Sequence, residues 1–232
     1  MNTISSIYKV CSKISKKNGS LYRLCESIRV LYHSRIEPQL SVMKSQIKPG
    51  SIIYDIGAYH GLYSITIAKT IKNSIVYAFE PNPNTYNELC ENIKRMKLSD
   101  RIIPKNLALS DDNVRKTLYI TSNDKRSSLK KDFAIKDDVI IYDTEIDTAS
   151  IDYLVENGIC KSPDILKIDV QGYEIEVLTG AKETLVSKHP HIFIEPHKNQ
   201  NRVSTKNRIV ELLSQLKYDH ESLGNAIWFY KR

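Results

Sequence analysis

Residues 54–64 read YDIGAYHGLYS, and the fold turns on this stretch. It closes an apolar run, SIIYDI (51–56), with Asp55, then passes two glycines, Gly57 and Gly61. An apolar strand that ends in an acidic residue and turns through glycine into a helix opens a nucleotide-type α/β unit. Glycine lets the backbone approach a ligand, and the helix start offers unpaired N–H groups to a carboxylate or phosphate. A dinucleotide, a phosphate and an S-adenosyl group all suit such a turn, so the rest of the chain has to choose.

Outward from that turn, short apolar runs recur: IVYAFE (75–80), RIIPKNL (101–107), DILKIDV (164–170) and HIFIE (191–195). Helical periodicity over about 61–72, 84–97, 174–187 and 203–217 separates several of them. Near-continuous apolar strands alternating with helices predict an α/β, doubly wound, mostly parallel sheet with helices on both faces. The stretch 110–150 breaks the rhythm with KTLYIT (116–121) and VIIYDTEI (139–146), which predicts an inserted hairpin or loop excursion. Ligands bind at the carboxyl ends of strands in open α/β sheets. An insertion near that edge is a natural substrate-recognition element. The chain closes with ESLGNAIWFYKR (221–232), whose Gly-Asn turn predicts an antiparallel edge hairpin.

Charge divides the chain in two. Residues 1–50 contain nine Lys/Arg and two Asp/Glu, a balance of +7, whereas 51–232 contain 25 of each sign. The basic character belongs to an N-terminal arm (1–50) and not to a catalytic body (51–232), which argues against a nucleic-acid-binding face on the body. Within the arm, Ile7, Val10, Cys11 and Ile14, then Leu21, Leu24, Cys25, Ile28 and Leu31, recur at helical spacing. Two amphipathic helices follow, packing on the body or joining a homo-oligomer, with peripheral membrane contact a weaker option. No apolar run approaches the roughly 18 residues of a membrane span, and no signal peptide is recognisable, so a cytoplasmic address is expected. The four cysteines lack CxxC spacing and suit neither a disulfide framework nor a zinc site.

Read in order, the strand ends form a set. Asp55 ends the first, Glu80 the second within Glu80-Pro81-Asn82, Asn106 to Ala108 the third, Asp169 the fourth and Glu195-Pro196-His197 the fifth. Glu80 follows Gly57 by 23 residues, near the separation at which a carboxylate accepts hydrogen bonds from ribose hydroxyls. That carboxylate would repel a 2′-phosphate.

The stretches YDIGAYHG, AFEPNP, NLALSD, LKIDVQGYE with VLTGA, and IFIEPH resemble the FkbM-type methyltransferases, class I S-adenosylmethionine-dependent enzymes. The resemblance runs from about Ile52 to His197, and AFEPNP with LKID-x-x-G-x-E is its most specific part. It implies a Rossmann-like seven-stranded sheet with the last strand antiparallel. It also implies methyl transfer from S-adenosylmethionine, leaving S-adenosylhomocysteine, to a hydroxyl of a sugar, glycan or other small metabolite. Carried onto this chain, Asp55, Gly57, Ala58, Tyr59 and Gly61 surround the methionine part of the cofactor. Glu80, with Asn82 beside it, holds the ribose; Asn106 and Ala108 lie near adenine; Asp169 sits where the methyl group meets the acceptor. Tyr59 and Gln171 stand where the family usually has Asn and Glu.

A sugar hydroxyl is a poor nucleophile at neutral pH, so methyl transfer to it calls for a base. His197 has the ordinary pKa for that role, roughly 6.5, and Asp169 could serve if desolvated. Glu195 completes the acidic edge. Asp169 and Glu195 without a third ligand make no metal centre, and a metal-independent reaction is expected. An NAD-dependent dehydrogenase is disfavoured, because none of the fourteen tyrosines has Lys four residues on. An amino-directed nucleic-acid methyltransferase would carry Asn/Asp-Pro-Pro-aromatic where Asp169-Val-Gln-Gly stands. A ribose-directed enzyme gripping nucleic acid through the arm, and a non-catalytic binding module, remain open alternatives.

Overall fold

A computed structural model describes residues 38–123, 126–134 and 138–231. The two amphipathic helices expected before residue 33 lie outside the described residues. Helix α1 (Pro38–Gln46) leads into strand β1 (Ile52–Ile56), α2 (Leu62–Thr70), β2 (Ile75–Phe79), α3 (Pro83–Met96) and β3 (Ile102–Lys105). Strands β4 (Ala108–Leu109), β5 (Arg115–Thr121) and β6 (Ile140–Ala149) follow, with the short helix α4 (Lys131–Ala134) between β5 and β6. The second half runs α5 (Ile151–Glu156), β7 (Ile165–Ile168), α6 (Glu174–Thr179), α7 (Lys182–Lys188) and β8 (His191–Ile194). It ends with α8 (Lys206–Gln215), β9 (Asp219–Leu223) and β10 (Ala226–Tyr230).

Seven strands form one sheet in the order β3-β2-β1-β7-β8-β10-β9. Neighbours pair in parallel from β3 to β8, and β10 runs antiparallel to both β8 and β9. The order reverses between β1 and β7, so the crevice at their carboxyl ends is where a ligand would seat. Alternate residues feed two apolar layers. Tyr54, Ile56, Phe79, Leu166 and Ile168 pack against α5 to α8, while Ile53, Val76, Ile165 and Phe193 pack against α1 to α3. Leu40 and Met43 of α1 are fully buried in the second layer, so the last part of the basic segment is built into the body.

Local sequence explains most boundaries. Asn82 accepts a hydrogen bond from the Asn84 N–H, and Pro83 takes the first position of α3, where its missing N–H costs nothing. Leu89, Ile93 and Met96 then line one face, and Lys97 ends the helix in the left-handed conformation. The continuous helix predicted over 174–187 is broken in two. Gly180 sits so close to Ser110 that a Cβ there would lie 1.9 Å from the Ser110 carbonyl oxygen. The Asp152 carboxylate meanwhile takes the Glu183 and Thr184 N–H groups and starts α7 afresh. The insertion is a hairpin: β5 and β6 pair antiparallel, and β4 joins β6 in a separate three-stranded sheet. Among the described residues no helix is long and apolar enough to cross a membrane.

One buried pair stands out within the sheet. Asp55 on β1 and Lys167 on β7 are cross-strand partners, 0% and 4% exposed, with Nζ 3.3 Å from Oδ1. Burial works against the lysine's charge, but the carboxylates of Asp55, Asp169 and Glu195 outweigh it and hold its pKa above the ordinary lysine value. Lys167→Met leaves Asp55 as an uncompensated buried charge and should destabilise the fold by about 3–5 kcal/mol in urea unfolding. Adding Asp55→Asn should recover part of that loss. Additive effects of the two substitutions would show that the pair is not coupled.

Candidate active site

The carboxyl ends of β1, β2 and β7 border a cleft of about 320 Å³, closed on one side by the insertion. Gly57, Ala58, Tyr59, Glu80, Ala108 and Asp169 line it. Asp55, Gly61, Asn82 and Asn106 stand behind that wall and build it. Asp55 Oδ2 accepts hydrogen bonds from the Ser64 N–H (3.1 Å) and hydroxyl (2.6 Å), so it satisfies the first turn of α2 from within. Asn82 caps α3, and Asn106 Nδ2 donates to the carbonyls of Glu80 (2.9 Å) and Pro81 (3.0 Å). Asn106 thereby fixes the loop that carries Glu80.

The two glycines bring protein elements together. A Cβ on Gly57 (φ +77) would fall 1.9 Å from the Asp169 carbonyl oxygen, and one on Gly61 (φ +87) 2.6 Å from Leu89. Only glycine lets the β1 and β7 loops touch here. The turn is thus shaped by contacts inside the fold as much as by any ligand. Between the glycines, Tyr59 takes the left-handed conformation at φ 50, stacked on His60 at 3.7 Å. Asn, the residue the FkbM-type enzymes usually carry there, enters that region more readily than Tyr.

Glu80 is 7% exposed and held by two backbone donors, Tyr59 N–H to Oε2 (2.9 Å) and Asn82 N–H to Oε1 (3.0 Å). Burial pushes its pKa up to about 7, against the pull of those N–H groups and Lys167. Leu107, Ala108, Leu109 and Phe79 make the neighbouring wall apolar. From the insertion, Leu118, Ser127, Ser128 and Leu129 close the far side, and Ser128 Oγ ties it down by donating to the Gln171 carbonyl (2.7 Å). Ser127 Oγ is buried without a hydrogen-bond partner, a polar group free to meet a ligand.

At the cleft's inner end, four side chains form a chain. Glu174, fully buried at the start of α6, accepts from the Gly172 N–H (2.9 Å) and meets His197 Nδ1 (2.7 Å). His197 Nε2 lies 2.8 Å from Gln171 Nε2 and 3.5 Å from Asp169 Oδ1, and Gln171 also donates to Asp169 (3.2 Å). A proton on Nδ1 satisfies the Glu174 contact and leaves the Nε2 lone pair to accept from the Gln171 amide, whereas the Asp169 contact becomes an ion pair only when the ring is doubly protonated. Burial lowers the imidazole's pKa, but the Glu174 hydrogen bond and the charges of Asp169, Glu174 and Glu195 together raise it. Glu195 follows β8, its N–H bonded to the Ile168 carbonyl.

The strand ends mark Asp169, His197 and Glu195, whereas Lys167 and Glu174 fall within the LKID-x-x-G-x-E stretch without a role of their own. The alternation of LKID would have flagged Lys167, a cation at an inward position of an apolar strand. Glu174 is the last residue of that stretch, but its pairing depends on where β8 delivers His197.

The sheet order, the antiparallel β10 and the acidic strand ends define a Rossmann-like methyltransferase fold. The chain belongs to the FkbM methyltransferases: the methyltransferase FkbM domain matches residues 55–220. It is 29% identical over 186 residues to the hexuronic acid methyltransferase AglP of Haloferax volcanii, covering 78% of this chain and 69% of that protein. It is 25% identical over 178 residues to the 31-O-demethyl-FK506 methyltransferase FkbM of Streptomyces tacrolimicus, covering 66% and 67%. A solved methyltransferase FkbM from Methylobacillus flagellatus shares the fold at a TM-score of 0.53 and 15% identity. The match spans 98% of this chain and 58% of the solved one.

Glu80 gives a test of the cleft's electrostatics. Its folded pKa lies above the ordinary value, so the folded state holds a proton that the unfolded chain releases. Its contribution is favourable below pH 4.5 and is lost as the pH rises through about 7. Glu80→Gln should therefore flatten the decline in stability between pH 5 and 8, read by urea unfolding at each pH. An unchanged slope would mean that Glu80 titrates normally.

Proposed function

We propose that the chain is an S-adenosylmethionine-dependent O-methyltransferase acting on a hydroxyl of a sugar or a related small metabolite. The observation that carries this reading is the pairing of His197 with the buried Glu174, which aims Nε2 at Asp169 on the edge of the cleft. Family membership and the two relatives, one named for a hexuronic acid and one for 31-O-demethyl-FK506, support it.

The cleft's residues fit the cofactor. The Glu80 carboxylate already spends one lone pair per oxygen on backbone N–H groups and keeps the others for a ribose diol. The apolar wall from Phe79 and Leu107 to Leu109 suits an adenine face, and Ser127 Oγ has an unspent hydrogen bond for its edge. The Gly57–Tyr59 turn suits the amino-acid end. When bound, S-adenosylmethionine supplies an electrophilic methyl carbon on a sulfonium whose departure as a neutral thioether needs no acid. The chain's own residues do the rest. An arriving hydroxyl displaces the Gln171 amide from His197 Nε2, which takes up the proton as the new O–C bond forms. Glu174 holds the ring in its Nδ1–H tautomer and stabilises the imidazolium that results, while the Asp169 charge adds to that stabilisation.

Calorimetry with S-adenosylhomocysteine tests the cofactor assignment. Affinity should drop about tenfold between pH 8 and pH 6, as a group titrating near 7 demands, and Glu80→Ala should abolish binding. NAD should not bind. His197→Ala should lower kcat by roughly 10²–10⁴ with cofactor affinity unchanged. The rate should rise with pH through a midpoint above 6.5, and Glu174→Gln should bring that midpoint down. A midpoint unmoved by Glu174→Gln would remove His197 from the role of base.

A further inference from the structure

A second cavity, about 310 Å³, opens where the carboxyl end of β8, the start of α8 and the β9–β10 turn meet. Its inner wall carries Glu195 and His197, and its rim carries Lys198, Lys206, Ser204 and Asn225. The wall of the first cleft is formed in part by Asp169 and Gln171, both of which reach His197. The imidazole therefore stands between two cavities, one fitted to a cofactor and the other unassigned.

Charge makes the second cavity distinctive. Residues 51–232 balance 25 cations against 25 anions, yet Lys198 and Lys206 stand over one opening and neither forms an ion pair among the described residues. The ten-residue helix α8 begins at the same rim, with the Lys206 N–H bonded to Ser204 Oγ, and its dipole adds positive potential there. The one carboxylate in its lining, Glu195, lies at the inner end with His197. The cavity is thus polarised, cationic at its mouth and basic at its floor.

We infer that this cavity is the acceptor subsite and that it selects a sugar bearing an anionic group, a carboxylate or a phosphate. The inference rests on the methyltransferase reading above and adds the acceptor's charge to it. The anion docks between Lys198 and Lys206, away from Glu195. Docked in that way, the sugar presents a ring hydroxyl inward to His197 Nε2, facing the first cleft. A neutral sugar would leave both ammonium groups unpaired and would gain nothing from the dipole of α8.

Amide NMR on the protein saturated with S-adenosylhomocysteine tests this with three probes: glucuronate, glucose 1-phosphate and glucose. At least one of the two anionic sugars should move the signals of Ser204, Lys206 and Asn225 at concentrations where glucose does not. Which of them binds tells carboxylate from phosphate. The Lys198→Glu/Lys206→Glu variant changes only exposed side chains, so it should fold and bind S-adenosylhomocysteine normally, while its affinity for the anionic sugar falls roughly tenfold or more. Equal shifts with glucose, shifts that survive the double substitution, or no shift with any of the three would overturn the anionic-acceptor inference. Failure of S-adenosylhomocysteine itself to bind would instead defeat the cofactor assignment, so the two failures are separable.

Discussion

The ion pair between Asp55 and Lys167 holds the two halves of the crevice together. The two residues face each other across β1 and β7, where the strand order reverses. Each reaches one way into the sheet and another way into a loop. Asp55 takes the Ser64 N–H and hydroxyl, fixing where α2 starts and hence the path of the Gly57–Gly61 turn. Lys167 donates to the Gly57 carbonyl at 3.2 Å and lies 3.7 Å from Asp169, fixing the turn and the β7 loop at once. A charged pair in this position contributes little net stability compared with apolar residues of the same size. What it provides is register, a fixed relation between the Gly57–Gly61 turn and the β7 loop.

The polar residues behind the cleft extend the same logic. Glu80 could not remain a buried carboxylate unless Tyr59 and Asn82 presented N–H groups to it, and local backbone places both. Tyr59 accepts a left-handed conformation, and Asn82 sits at a helix cap whose next residue is proline. Asn106 then ties the carbonyls of Glu80 and Pro81 to the end of β3. Asn106 and Asn82 thus serve as the frame in which one carboxylate is held. Residues named from a motif divide between those that touch a ligand and those that keep the first group in place.

Much of the architecture was legible because strand and helix periods differ and the strand ends are chemically marked. YDIG, AFEP, LKID and IFIEP each finish an apolar run with an acidic residue, and the convergence of those ends follows from parallel topology alone. The failures have physical causes. The break at Gly180 comes from Ser110 and Asp152, residues 70 and 28 positions away, whose approach no local pattern records. Glycine spacing suggested backbone open to a ligand, whereas Gly61 makes room for Leu89 on the next helix. Glu174 is visible in the sequence only as the last residue of LKID-x-x-G-x-E, and it gains its partner because the end of β8 brings His197 to it.

The insertion links these parts. It could have been a decoration at the sheet edge, but three anchors pin it over the β7 loop. Ser128 bonds to the Gln171 carbonyl, Lys130 bonds to the Gly172 carbonyl and pairs with Glu176, and the Phe133 ring fills the space where Gly172 lacks a side chain. Gln171 and Gly172 both adopt positive φ, a loop shape that costs free energy unless its surroundings enforce it. The insertion supplies that enforcement. The Gln171 side chain, whose backbone the insertion grips, meets His197 and Asp169. Closing the first cleft and setting the imidazole are therefore one structural event. The hairpin covers the first cleft with Leu118 and Leu129 while positioning the group that stands between that cleft and the second cavity.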